Sequence, residues 1–249
     1  MNAIEISDLH FRYPDGKIAL DGISLSIPEG HTVALIGPNG AGKSTLLLHL
    51  NGLLPEKLGQ DGRVKIFDRP ITAKNVDEIR RDVGLLFQDP DDQIFCPTVF
   101  EDVAFGPQQL ALGDQAIAQR VTEVLDRVGL SGFDDRLPHH LSGGEKRRVC
   151  LAGVLACDCR ILVLDEPTSD LDPRGKRQLK DLLRQLPATK VIATHDLELV
   201  AELCPRAVLM DAGRLIADGP SLHILADEPL MLQHGLEKPH ILQHLHPHV

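Results

Sequence analysis

The chain has 249 residues, 43% of them apolar, and a formal net charge of −10. That length suits one large α/β domain, or a domain with a subdomain, and the apolar fraction is enough for a substantial core. The acidity argues against sequence-independent nucleic-acid binding, which relies on a surplus of Lys and Arg near phosphates.

No apolar run approaches the roughly 20 residues that span a bilayer. The first residues, with Glu5 and Asp8, lack the basic, apolar and small-residue order of a signal peptide. The expectation is a soluble, cytoplasmic chain that can dock on a membrane protein. The five cysteines, including Cys157 and Cys159, have no second Cys or His pair at zinc-site spacing and read as reduced structural thiols.

Residues 3–30 alternate apolar and polar through Ile4, Ile6, Leu9 and Phe11, then Ile23, Leu25 and Ile27. Pro14-Asp15-Gly16 is a turn signal between the two runs, so an antiparallel strand layer is expected. Tyr13, the single tyrosine, sits at the turn, where it is either a base-stacking ring or a partly buried turn residue. A short apolar strand, Thr32–Ile36, then leads into Gly37-Pro38-Asn39-Gly40-Ala41-Gly42-Lys43-Ser44-Thr45 and an apolar helix. This strand, glycine turn and helix form the phosphate-binding loop. Its backbone N–H groups and the positive helix end suit a polyanion. Lys43 can reach β- and γ-phosphates, and the Ser44 hydroxyl can ligate Mg²⁺.

Gly62–Phe67 predicts another edge strand, Asp77–Arg81 a short helix, and Val83–Phe87 a strand ending at Gln88. From Asp89 to Pro107 large apolar residues (Ile94, Phe95, Val99, Phe100, Phe105) stand among acids and breakers rather than on one periodic face. This stretch is either a core loop or a docking surface. Residues 114–130 have helical spacing and stop at Gly129. Leu141-Ser142-Gly143-Gly144-Glu145 opens a helix to Ala156, as a second anion site or as simple capping by Ser142.

Ile161–Leu164 reads as a parallel strand buried on both faces, and it ends in Asp165-Glu166. Open α/β sheets place their ligands at such strand ends. One carboxylate can meet Mg²⁺ through water while the other orients or deprotonates an attacking water. A turn through Asp172, a helix from Arg174 to Leu186 and a buried strand Lys190–Thr194 follow, with His195 at the strand's C-terminal end. Ala207–Met210 and Arg214–Ala217 predict a closing hairpin.

Together these motifs resemble the ATP-binding subunit of ABC transporters over about residues 3–225. Leu141–Glu145 matches that family's signature sequence. The resemblance implies an α/β phosphate-loop ATPase core, mostly parallel sheet with flanking helices, plus an antiparallel β subdomain and a helical subdomain at about 89–156. It implies that Tyr13 stacks on adenine. Residues Gly37 to Thr45 would hold the phosphates, with Ser44 also on Mg²⁺, and Gln88 would sense Mg²⁺ and the attacking water. Asp165 would support the metal, Glu166 act as general base, and His195 contact the γ-phosphate. Ser142, Gly143 and Gly144 would close over ATP held by a second subunit, with Asp172 bridging the interface. Each chain carries one copy of each motif, so a homodimer is expected. Asp170 stands where a small residue is commoner in the interface turn, a departure that bears on communication between sites.

The stretch Gln88–Pro107 further resembles the energy-coupling-factor importers, including cobalt and nickel systems, in which this region abuts a transmembrane coupling protein. A substrate-binding membrane component is the other implied partner. The expected place is the cytoplasmic face of the membrane, bound peripherally. Many vitamin-importing relatives have a longer C-terminal helical segment, which favours nickel or cobalt over a vitamin as cargo. After a domain expected at 1–228, residues 229–249 form a His-rich tail with His234, His240, His244, His246 and His248. It is either a polar tail or a set of imidazoles suited to Ni²⁺, Co²⁺ or Zn²⁺. Two other readings are weaker. DNA-repair ABC ATPases carry a long coiled-coil insertion that is missing here, and a simple metal buffer leaves the ATP site unexplained.

Overall fold

The computed structural model describes residues 1–58 and 62–243. It divides into two compact units, Met1–Arg80 with Ala188–Val249, and Arg81–Pro187. The first opens with β1 (Asn2–Arg12), β2 (Ile18–Pro28), β3 (Thr32–Ile36), α1 (Lys43–Leu50), β4 (Val64–Ile66), β5 (Arg69–Pro70) and α2 (Val76–Asp82). The second holds β6 (Val83–Leu86), α3 (Val99–Gln109), α4 (Asp114–Arg127), α5 (Gly143–Ala156), β7 (Ile161–Asp165) and α6 (Pro173–Gln185). The chain then re-enters the first with β8 (Thr189–Ala193), α7 (Leu197–Leu203), β9 (Arg206–Asp211), β10 (Arg214–Pro220), α8 (Ser221–Ala226), α9 (Glu228–Gln233) and α10 (His240–Gln243).

In the first unit, the alternation of residues 3–30 becomes the antiparallel pair β1–β2, with Ile4 opposite Ile27 and Phe11 opposite Leu20. The sheet continues to β4 and β5 in the order β2-β1-β4-β5. A separate ladder places β3 between two parallel neighbours, with Leu35 opposite Ala193 of β8 and Val208 of β9. The hairpin partner β10 runs antiparallel to β9. β8 is buried along its whole length and β3 at all but its first residue, as expected for parallel strands covered on both faces. Leu46, Leu47 and Leu50 of α1 are almost wholly buried. Truncating one of them to Ala should cost about 2–5 kcal/mol, so the helix that carries the glycine loop is firmly anchored.

The second unit is a parallel pair, Leu85 opposite Val163, together with four helices. It takes in β6, β7 and α6, so this compact body is wider than the helical segment expected at 89–156. The acid-rich stretch before Pro107 differs from its sequence reading. Residues 99–109 are a helix, and Val99, Val103, Ala104 and Pro107 do share a buried face. The cause is a capping box. The Thr98 hydroxyl accepts from the Glu101 N–H, and the Glu101 carboxylate accepts from the Thr98 N–H. Such a cap starts a helix despite a proline near its end, and Pro107 falls in the last turn.

The chain stays packed beyond residue 228. Met231 of α9 is fully buried, and Leu236 is nearly so. His234 Nδ1 lies 2.8 Å from Asp211 Oδ2, so this histidine belongs to the folded body. His240 lies in α10, while His244, His246 and His248 fall outside the described residues. All five cysteines are free thiols. Burial pushes Cys150 and Cys204 up to about 12, which suits inert core thiols. Among the described residues no helix is long and apolar enough to cross a membrane.

Candidate functional site

In the first unit the glycine loop leaves the C-terminal end of β3. Gly37 has φ +146°, and a Cβ there would lie 2.0 Å from the Met210 carbonyl oxygen. Gly42 has φ +99°, and a Cβ there would lie 2.4 Å from the Ala19 carbonyl oxygen. Both positions therefore exclude a side chain by backbone conformation and by close approach. Lys43 follows at the first helical position and is 8% exposed. Its Nζ donates to the carbonyls of Gly37 at 2.7 Å and Pro38 at 3.0 Å. The ammonium is thus curled over the backbone of the loop.

Ser44 is half-buried and Thr45 buried. Tyr13 OH lies 3.0 Å from Thr45 Oγ1, and the Tyr13 ring meets Phe11 edge to face at 5.0 Å between centroids. The structure therefore brings the sole tyrosine to the glycine loop, although 32 residues separate Tyr13 from Thr45. His195 is exposed just beyond β8, and the Thr194 N–H donates to the Leu35 carbonyl at 3.1 Å. The parallel pairing of β3 and β8 puts Gly37 and His195 after the same ends of neighbouring strands.

The second unit carries the other candidates. Gln88 is exposed, two residues after β6. Asp165 ends β7 and Glu166 follows it, 6% and 7% exposed. Glu166 has φ +48°, a left-handed conformation that costs roughly 1–2 kcal/mol for a non-glycine residue. It turns the chain out of the strand into the Thr168–Asp172 turn. Two adjacent buried carboxylates at a strand end, one on a strained residue, suit metal support and water activation.

Ser142 caps α5 in a second capping box, its hydroxyl accepting from the Glu145 N–H. Hydrogen bonds from the Ser142 N–H, and then from its hydroxyl, hold the Glu145 carboxyl below the usual glutamate range. This cap is fully present above the ordinary Glu range and is lost as pH falls through the lowered value. Of the two sequence readings of Ser142, the structure shows the capping. Ser142 also lines an open cleft of about 720 Å³ with Gly143, Gly144, Asp170, Asp172 and Arg174. Asp172 caps α6, accepting from the Gly175 N–H at 2.6 Å. Arg147, on α5, was not singled out by its sequence. It lies in a Lys-Arg-Arg run and is 3% exposed.

The donors present fit a magnesium nucleotide. The tight backbone of the loop leaves no room for a Cβ at Gly37 or Gly42 against the Met210 and Ala19 carbonyls. Lys43 supplies a compact cation, and hydroxyl and carboxylate oxygens are the ligands that Mg²⁺ prefers.

Comparison with known proteins points to a nucleotide-binding family. The family model described as ABC transporter matches residues 20–169. The chain is 53% identical over 236 residues to a Gloeobacter violaceus protein named as an ABC transporter ATP-binding protein, covering 94% of this chain and 96% of that one. It is 49% identical over 240 residues to the energy-coupling factor transporter ATP-binding protein EcfA of Carboxydothermus hydrogenoformans, covering 95% and 87%. Among solved structures, cbiO1 of Clostridium perfringens, described as part of the ABC transporter complex cbiONQ, superposes with a TM-score of 0.79. It shares 36% identity and covers 97% of this chain and 98% of that one. The ATP-binding cassette MJ0796, solved as a dimer in a post-hydrolysis state with ADP and Pi, also gives 0.79, at 28% identity over 88% and 98%.

Proposed function

From the premise that the chain belongs to the ABC transporter ATP-binding family, in its energy-coupling-factor branch, we propose that its ATP hydrolysis powers import of nickel or cobalt ions through a membrane partner. The observation that carries the energy-coupling role is the phosphate cradle: two glycines that cannot bear a Cβ, and a buried lysine folded over the loop they shape. The metal cargo is supported by the likeness of Gln88–Pro107 to the energy-coupling-factor importers, which include cobalt and nickel systems.

In this reading the loop amides and Lys43 bind the phosphates, and Ser44 and Asp165 are the oxygen donors that would hold Mg²⁺, which would neutralise phosphate charge. Tyr13 stacks on the adenine. Glu166 takes a proton from water, Gln88 orients that water, and His195 steadies the γ-phosphate. Ser142, Gly143 and Gly144 close over the nucleotide of a second copy, and Asp172 bridges the pair, so a homodimer has two competent sites. ATP binding draws the two copies together, and hydrolysis lets them part.

The membrane partner docks where the second unit leaves aromatic surface uncovered. Phe95 and Phe105 are 66% and 42% exposed and stack edge to face with centroids 4.9 Å apart. Beside them Ile94, Pro97, Leu137 and Pro138 line a groove of about 390 Å³. Exposed paired aromatics of this kind mark interaction sites. Replacing both with Ser is expected to abolish co-purification with the membrane components and to cut uptake at least ten-fold, about the loss of an aromatic anchor. Basal ATP hydrolysis should stay unchanged. Wild-type uptake by the double variant would place the partner elsewhere.

The function is tested by uptake of labelled Ni²⁺ and Co²⁺ in cells lacking the protein, complemented with wild type or Lys43→Ala. Rescue by wild type and failure of the variant are expected. Normal metal uptake without the protein would contradict the metal cargo and turn the search to vitamins.

A further inference from the structure

Arg147 is a guanidinium buried to 3% exposure, and its partners lie far from it in sequence. Nη1 donates to the Phe87 carbonyl at 2.9 Å and Nη2 to the Gln88 carbonyl at 2.5 Å. Nη2 also stands 3.5 Å from Asp170 Oδ2, while Nε has no hydrogen-bond partner. A charge so buried is costly unless it is held by several acceptors. Here the acceptors are the backbone of the Gln88 segment and the carboxylate of the turn after Glu166. Arg147 itself sits one helical turn beyond Gly143 and Gly144.

Asp170 closes the circuit from the other side. It adopts φ +63°, and its carbonyl oxygen would lie 2.9 Å from a Cβ placed on Gly144. One residue thus presses its backbone on the Ser142–Glu145 segment and turns its carboxylate toward Arg147. The small residue commoner at this place could not reach a guanidinium.

We propose that Arg147 and Asp170 form a positioning strut that transmits displacement of the Thr168–Asp172 turn to the backbone of Gln88. The strut rests on the roles given above to Gln88 and to the Asp172 turn. Closure of a second copy against that turn moves Asp170, Arg147 follows the carboxylate, and the Gln88 carbonyl follows the guanidinium. Gln88 is then set for hydrolysis when the opposite surface is engaged. Lysine at 147 would keep the charge but lose the planar fork that spans three acceptors.

The test is a double-mutant cycle on the full-length ATPase with Arg147→Lys, Asp170→Asn and the pair, next to Gln88→Ala. Each single variant is expected to lower kcat about five- to ten-fold, a coupling of the usual size between contacting groups. KM for ATP should hold within about two-fold, because the nucleotide contacts are untouched. The double variant should be no slower than Arg147→Lys. Asp170→Asn should melt within about 3 °C of wild type, since an exposed carboxylate adds little stability. Wild-type kcat for Asp170→Asn, or fully additive losses in the double variant, would overturn the strut. If Gln88→Ala hydrolyses ATP normally, the role of Gln88 itself fails. If Gln88→Ala is slow while both strut variants are normal, only the strut fails.

Discussion

Glu166→Gln is expected to retain ATP binding and to lose hydrolysis by about 10²–10⁴-fold, the usual contribution of a positioned general base. The substitution keeps the size of the side chain and removes the negative charge and the proton-accepting oxygen. Glu166 is 7% exposed beside Asp165, so water approaching it meets a carboxylate shielded from bulk solvent, where charge effects are strong. Its left-handed backbone turns the chain at the strand end. Single-turnover hydrolysis and equilibrium ATP binding, measured on the same preparation, separate the two effects. Hydrolysis within a few-fold of wild type would assign the base to another residue.

Lys43→Ala is expected to act earlier, on phosphate binding as well as on rate. The Nζ already lies over the loop, anchored by the Gly37 and Pro38 carbonyls, so little reorganisation stands between it and a phosphate oxygen. Removing one such preorganised donor costs about 10²–10³-fold in rate, and the lost charge weakens nucleotide binding as well. The fold should survive, because α1 is anchored by Leu46, Leu47 and Leu50 rather than by Lys43. Titration with a fluorescent ATP analogue together with steady-state hydrolysis measures both losses. Binding and turnover at wild-type level would exclude Lys43 from phosphate contact.

Much of this was legible in the chain because its signals are local. Alternation over residues 3–30 became β1 and β2, and the short, mainly apolar runs became the buried strands β3, β7 and β8. The glycine loop and the acids at the end of β7 were readable because chemistry confines them to strand ends. α3 was hidden by Gly106 and Pro107, although the pair Thr98 and Glu101 carried its start signal. The helices α7, α8 and α9 have only six or seven residues each, too few to show a helical period. Arg147 was beyond local reading altogether. Its burial depends on carbonyls 59 and 60 residues away, and nothing in a basic tripeptide announces such partners.

In the proposed function the nucleotide site is completed by a second copy of this chain. The full-length Glu166→Gln protein, which binds ATP but does not consume it, tests this most directly by light scattering on a size-exclusion column. With ATP and Mg²⁺ the account predicts a shift from monomer to a species of twice the mass, reversed by removing Mg²⁺. A protein that remains monomeric with nucleotide bound would contradict the two-copy site.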